Sequence, residues 1–283
     1  MPFLRAAAAR DRVTLLARPH AAPLLARFAP AVELVPFTAP WTAFEGKYRL
    51  ERWSWGEMNR LRRNLRARRF DAAVSARPDP REHLLLAAAG ARRRLGFPRA
   101  GSRFLLHEAL PSPARPHRAE HWNALAVRLG LEPLPGDRAT PPAPGRVVIH
   151  TGAAQSVRRW PAERFAALAA RLRTAGWEVV MLDDSWRDLE ALLDALAGAA
   201  RFIGNDSGPG HLAALLGVPT FTIFGPQLPE FFAPRHPQSG WVDGHPCPYK
   251  PCFDDCRFSE PHCLLSVSVE EVWPRLEAWL ASG

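Results

Sequence analysis

No apolar stretch in this chain is long enough to cross a bilayer. The longest, Leu84 to Ala91, falls far short of the roughly 20 residues a spanning helix needs. The amino terminus carries no secretory signal either. Met1 to Arg10 is rich in arginine and alanine and has no apolar core followed by a small-residue cleavage site. Together these absences lead us to expect a cytoplasmic protein. Cysteine is scarce, at 4 of 283 residues, and all four fall between Cys247 and Cys263 rather than through the body of the chain. No RNP-type, zinc-finger or helix-turn-helix pattern accompanies the basic charge, so no nucleic-acid partner is expected. There is no internal repeat, and the only low-complexity stretch is a proline-rich segment near the middle.

What is present reads as a soluble globular protein. Hydrophobic residues make up 47% and charged residues 23%, and the length suits two domains of ordinary size. The net charge of +9 comes from 37 basic and 28 acidic side chains, and the excess is largely arginine. Three readings of it stand: arginine usage set by a GC-rich genome, attraction to an anionic membrane or lipid acceptor, and, weakest, attraction to nucleic acid.

Strand-like and helix-like patterns alternate along the chain. Strands are predicted at 12–17, 32–37, 70–75 and 94–97, with helices at 21–28, 55–68, 80–89 and 117–129. A run of prolines and glycines follows, which disfavours helix and sheet and marks a linker over 136–145. A second alternating unit then begins at Arg146, with strands at 146–150 and 177–182 and helices at 161–175 and 185–196. The closing helix, 268–280, starts with a capping-box pattern, Ser268 followed by Glu271. Such alternation implies parallel sheets covered by helices. The expected organisation is a domain over 1–135, the linker, and a domain over 146–283 that includes the cysteine-rich loop and the closing helix.

The densest cluster of special residues runs from Arg201 to Thr220. It reads as an apolar strand, a tight polar turn through Asp206, Ser207, Gly208, Pro209 and Gly210, a helix start bearing His211, and then another strand. Asp206 and Ser207 are N-cap types, and glycines let backbone approach a ligand. A helix start offers N–H groups and positive dipole to phosphate. An ordinary capped turn is the competing reading. A second strand-to-helix loop, Thr151 to Pro161, carries Ser156, Arg158 and Trp160. Its bland alternative is a surface loop with solvated arginines. Gly152 and Asp206 both fall at strand carboxyl ends, where open α/β sheets bind ligands.

The Asp-Ser-Gly-Pro-x-His-x-Ala-Ala-x-x-Gly-x-Pro window resembles the nucleotide-sugar signature of the heptosyltransferase-like glycosyltransferases of family 9. The 152–161 loop resembles that family's Gly-Ala-Ser…Lys-x-Trp-Pro segment, with Arg158 in place of the lysine. The resemblance covers most of the chain. It implies a GT-B fold, in which two Rossmann-like domains face one another across a cleft. The nucleotide sugar would then sit on Arg158, Ser156, Asp206, Ser207, Gly208, Pro209 and His211 of the C-terminal domain, with the acceptor on the N-terminal side. It also implies inverting transfer of a heptose from an ADP donor to a lipopolysaccharide-core or related glycan, without a catalytic metal, at the inner membrane's cytoplasmic side. Two departures stand out. The family's first strand and its Gly-Asp turn, which holds the catalytic base, have no counterpart after Met1, so the first strand is expected to be missing and no catalytic residue is assigned. The second half is also shorter by about one βα unit. A non-catalytic nucleotide-sugar-binding paralogue and a binding protein built around the cysteine cluster are the alternative functions.

Clustered cysteines in a cytosolic protein more often hold metal than form structural disulfides. Cys247, Cys252, Cys256 and Cys263 are therefore expected to form a structural zinc site, with His262 as an alternative ligand. Their spacings, with four, three and six intervening residues, lack the paired C-x-x-C form. Reduced thiols, a redox disulfide and an iron–sulfur cluster remain as alternatives.

Overall fold

The computed structural model describes residues 1–43, 49–115, 117–132, 144–185 and 188–282. The chain divides into two compact units, Met1–Leu134 and Pro135–Gly283. Most of the expected 136–145 linker lies outside the described residues. Among the described residues, no helix is long and apolar enough to cross a membrane.

The first unit runs α1 (Pro2–Ala8), β1 (Thr14–Ala17), α2 (Ala22–Phe28), β2 (Glu33–Pro36), α3 (Trp55–Ala67), β3 (Ala72–Ser75), α4 (Pro80–Ala88), β4 (Arg93–Gly96), β5 (Glu108–Ala109) and α5 (Ala119–Arg128). Helix α4 starts as its sequence dictates, with Pro80 in the first turn and the Asp79 carboxylate accepting from Arg81 N–H. In α3, Leu61 and Leu65 lie one turn apart and are buried, while Arg60, Arg62, Arg63 and Arg66 are exposed. Every described pairing is parallel, yet the strands form two sheets, β1-β2 and β3-β4-β5. A cavity of about 1330 Å³ lies between β1 and β3, lined in part by Phe3, Ala7, Leu15, Leu16, Val74 and Trp122. Among the described residues β1 pairs only with β2 and β3 only with β4, so each presents an open edge. One further parallel strand between them would join the two sheets.

The second unit runs β6 (Arg146–His150), α6 (Ala162–Thr174), β7 (Glu178–Leu182), α7 (Leu189–Ala197), β8 (Arg201–Asn205), α8 (Gly208–Leu215), β9 (Thr220–Ile223), α9 (Pro229–Phe232), β10 (Gly240–Val242), α10 (His262–Leu265) and α11 (Val269–Ala281). Its five strands form one parallel sheet in the order β10-β9-β8-β6-β7. The central strands β6, β8 and β9 are buried almost throughout, as strands covered by helices on both faces must be. On one face, Val147 and Ile149 pack with Phe165, Leu168 and Leu172 of α6 and Val272 and Leu276 of α11, residues at helical spacing. The Ser268–Glu271 capping box is formed at the start of α11. Pro161 sits at the N-cap of α6 rather than at its first helical position. Strand β10 does not stand out in the sequence because it is short and gains its place only by pairing beside β9.

Candidate functional site

The loop after β6 and the loop after β8 lie side by side at the carboxyl ends of two adjacent strands, the position where parallel sheets bind ligands. Asn205, the last residue of β8, joins them. Its side chain is buried, its Oδ1 accepts from Trp160 N–H at 2.9 Å, and its Nδ2 donates to Thr151 O at 2.8 Å. Asparagine suits this place because it supplies a donor and an acceptor to two backbone groups at once. Nothing in the neighbouring sequence marks this role, because both partners lie about fifty residues away.

Arg158 closes the short turn Ser156–Arg158 and is the centre of the site. Its Nη1 donates to Asp206 Oδ2 at 3.1 Å, and its Nε and Nη2 donate to Asp254 Oδ1 and Oδ2 at 2.5 and 2.6 Å. Burial works against the guanidinium charge, but the Asp254 hydrogen bonds and the Asp206 and Asp254 carboxylates hold its pKa above the ordinary value. The neighbouring Arg159 turns elsewhere, to Ala153 O at 2.7 Å and Asp184 Oδ2 at 2.9 Å. Gly152 is a glycine for a local reason, since a Cβ there would fall 1.9 Å from Asp184 Oδ1.

Asp206 is only 4% exposed. Burial raises its pKa to about 6, Asp254 adding to the rise and Arg158 opposing it. Its carboxylate accepts from Arg158. Ser207 is the N-cap of α8, but its hydroxyl donates to Asn205 O at 3.3 Å and does not cap. Ahead of Gly208 is open space, so backbone there is accessible to a ligand. Gly210 differs, because a Cβ there would meet Phe202 and Pro234 at 3.4 Å, so its smallness serves helix-on-sheet packing. Pro209 lies in the first turn, half-buried, with His211 exposed after it. Ser156 is exposed. The structure thus brings Arg158 directly onto Asp206, with Ser156 in the same short turn as Arg158 and the α8 start directly after Asp206.

The folded-state pKa of Asp206 lies above its unfolded value, so between about pH 4 and pH 6 the folded chain binds more protons than the unfolded one. This group therefore favours folding at low pH, and that contribution is lost as pH rises through 6. Asp206→Asn removes the titration. Relative to wild type it is expected to gain on the order of 1 kcal/mol between pH 5 and pH 8, as measured by chemical denaturation. A stability difference constant across that range would contradict the buried, raised carboxylate.

The cysteine segment requires a correction. Cys247, Cys252, Cys256 and Cys263 are free thiols that line one small cavity together with Tyr249 and His262. Among the described residues, however, no three histidine, cysteine or carboxylate side chains are placed to hold a metal ion. Burial raises Cys263 to about 11 and also raises Cys252. Among the described residues the expected zinc site therefore has no ligand set. What holds the segment is Arg257 over the Tyr249 ring at 4.8 Å, Phe258 against His262 at 4.3 Å, Lys250 on Asp243 at 2.7 Å, and Asp254 on Arg158.

Comparison with known proteins agrees with this architecture. The chain is 26% identical over 278 residues to lipopolysaccharide heptosyltransferase 1 of Pseudomonas aeruginosa, covering 80% of this chain and 78% of that protein. Its fold is similar to that of E. coli heptosyltransferase WaaC with ADP, with a TM-score of 0.74, 18% identity and coverage of 98% of this chain and 94% of that one. The same enzyme with ADP-2-deoxy-2-fluoro heptose matches with a TM-score of 0.73, 18% identity, and 98% and 94% coverage. The two-unit α/β architecture is thus of the GT-B type found in those enzymes. The model of glycosyltransferase family 9 (heptosyltransferase) matches residues 58–185 and 186–261, and the chain accordingly belongs to that family and is a glycosyltransferase.

Proposed function

We propose that this glycosyltransferase moves a heptose from ADP-heptose to a hydroxyl of a lipopolysaccharide-core or related glycan, with inversion at the anomeric carbon. The acceptor oxygen forms its bond to that carbon from the face opposite the donor diphosphate. The bond from carbon to the phosphate oxygen breaks, its electron pair leaves with ADP, and the hydroxyl proton passes to a base. Departure of the diphosphate requires positive charge placed in advance. Arg158 and the first turn of α8 supply it, with Ser156, Ser207, Gly208, Pro209 and His211 around the phosphates and Asp206 behind the guanidinium.

The observation that carries this reading is the placement of Arg158 beside the α8 start, at the ends of β6 and β8, in a family 9 chain. The relatives support the choice of donor and acceptor. One is a lipopolysaccharide heptosyltransferase, and the solved structures contain ADP and a fluorinated ADP-heptose.

The acceptor side is assigned to the first unit, residues 1–135. There Trp55 is exposed at the start of α3 and packs on Trp53 with ring centroids 5.6 Å apart, Trp53 in turn packing on the buried Trp41, and α3 carries exposed arginines. Aromatic faces suit sugar rings, and arginines suit the phosphates of a lipid-linked glycan or an anionic membrane surface. A location at the cytoplasmic side of the inner membrane follows from that acceptor.

The test is a transfer assay with ADP-heptose and deacylated lipopolysaccharide core, product configuration being read by NMR. An inverted glycoside, formed equally well in EDTA, is the expected result. Binding of ADP-heptose without transfer to any core acceptor would favour the non-catalytic paralogue.

A further inference from the structure

Asp254 occupies the part of Arg158 that a diphosphate needs. Its two oxygens take Nε and Nη2 at 2.5 and 2.6 Å, the forked edge that grips paired oxygens of a carboxylate or phosphate alike. Gln227, 1% exposed, adds Nε2 at 3.3 Å from Asp254 Oδ1, and its own Oε1 is buried without a hydrogen-bond partner. Asp254 arrives from the cysteine-rich segment, far from Arg158 in sequence. Phe253 and Asp254 both have positive φ, 50° and 75°, a conformation unfavourable for residues with a Cβ. A strained turn therefore presses a carboxylate into an arginine fork. With Asp206 on the same guanidinium, two carboxylates face one cation. When both are ionised the cluster is net negative, the wrong sign for receiving a diphosphate.

We propose that Asp254 is a displaceable stand-in for the donor diphosphate. It holds Arg158 and Gln227 while the donor site is empty, and it leaves when a nucleoside diphosphate binds, freeing the Cys247–Cys263 segment to move. This rests on the donor-site reading above. The latch lowers apparent donor affinity by the fraction of molecules whose Arg158 is open. It also couples donor occupancy to the exposure of Cys252, which is half-buried and lies two residues before Asp254 on the same segment.

The test combines ADP calorimetry with alkylation of Cys252 by iodoacetamide, mapped by mass spectrometry, on the reduced full chain. Wild type, Asp254→Asn, Asp254→Ala and Arg158→Ala are compared, with circular dichroism confirming that each is folded. Both Asp254 variants are expected to bind ADP about tenfold more tightly and to alkylate faster at Cys252 without ligand. Saturating ADP is expected to bring wild type to the variants' alkylation rate. If wild type binds ADP, Arg158→Ala does not, and both Asp254 variants bind no better than wild type, the latch is overturned while the donor site stands. Unchanged alkylation at Cys252 in the Asp254 variants also overturns it. If no folded form binds ADP, the donor reading fails and the latch fails with it.

Discussion

Arg158→Ala is expected to lower heptosyl transfer by about 10²- to 10³-fold, the loss that follows removal of one placed charge donor from a transition state. Two effects act together. The substitution removes the cation that receives the departing diphosphate, and it leaves the Asp206 and Asp254 carboxylates facing each other without the guanidinium they share. Donor affinity should fall as well, because repulsion replaces attraction at the same place. Arg158→Lys restores the charge but not the fork, so it should recover part of the rate and little of the Asp254 contact. Steady-state kinetics on the three forms tests this. Equal rates for wild type and Arg158→Ala would remove Arg158 from the reaction.

The largest loss of stability is expected from Trp160→Ala, about 3–5 kcal/mol. Trp160 is 1% exposed and meets Phe165 edge-on, with ring centroids 5.0 Å apart. Its Nε1 donates to Val267 O at 2.8 Å, a carbonyl that Arg164 Nη1 also reaches at 2.6 Å. Truncation therefore does not orphan the carbonyl, and the cost comes from the cavity and lost packing. Trp160→Phe keeps most of the packing and is expected to lose only about 1 kcal/mol with the hydrogen bond. The backbone N–H of Trp160, held by Asn205, is kept in the alanine variant, so the loss falls on packing rather than on that bond. Urea unfolding of the two variants measures the difference, and a small loss in Trp160→Ala would mean that this ring does not anchor the unit.

The parts of this protein legible in its sequence are those encoded locally. Apolar runs broken by helical spacing marked most of the alternation in both units, and the capping box at Ser268 announced α11. Asp206 to His211 and the Arg158 loop were legible because glycine, proline, N-cap types and a cation crowd into short windows. What escaped depends on partners distant along the chain. Asp254 reaches Arg158 across 96 positions, and nothing in a Phe-Asp-Asp-Cys sequence announces that contact. Asn205 and Gln227 are single amides whose importance lies in which loops fold beside them. Gly210 looked like its neighbour Gly208, and only packing against Phe202 and Pro234 separates their roles. The cysteines misled for a related reason. Proximity in sequence suggested ligands, but placing thiols around an ion is a matter of side-chain direction.

Calorimetric titration of the full chain with ADP-heptose, with UDP-glucose as comparison, tests the central claim most directly. Saturable one-to-one binding of ADP-heptose, much weaker binding of UDP-glucose, and loss of both on Arg158→Ala is the result this account predicts. A folded chain that binds neither, or that binds ADP-heptose unchanged after Arg158→Ala, would contradict a donor site built on Arg158 and the α8 start.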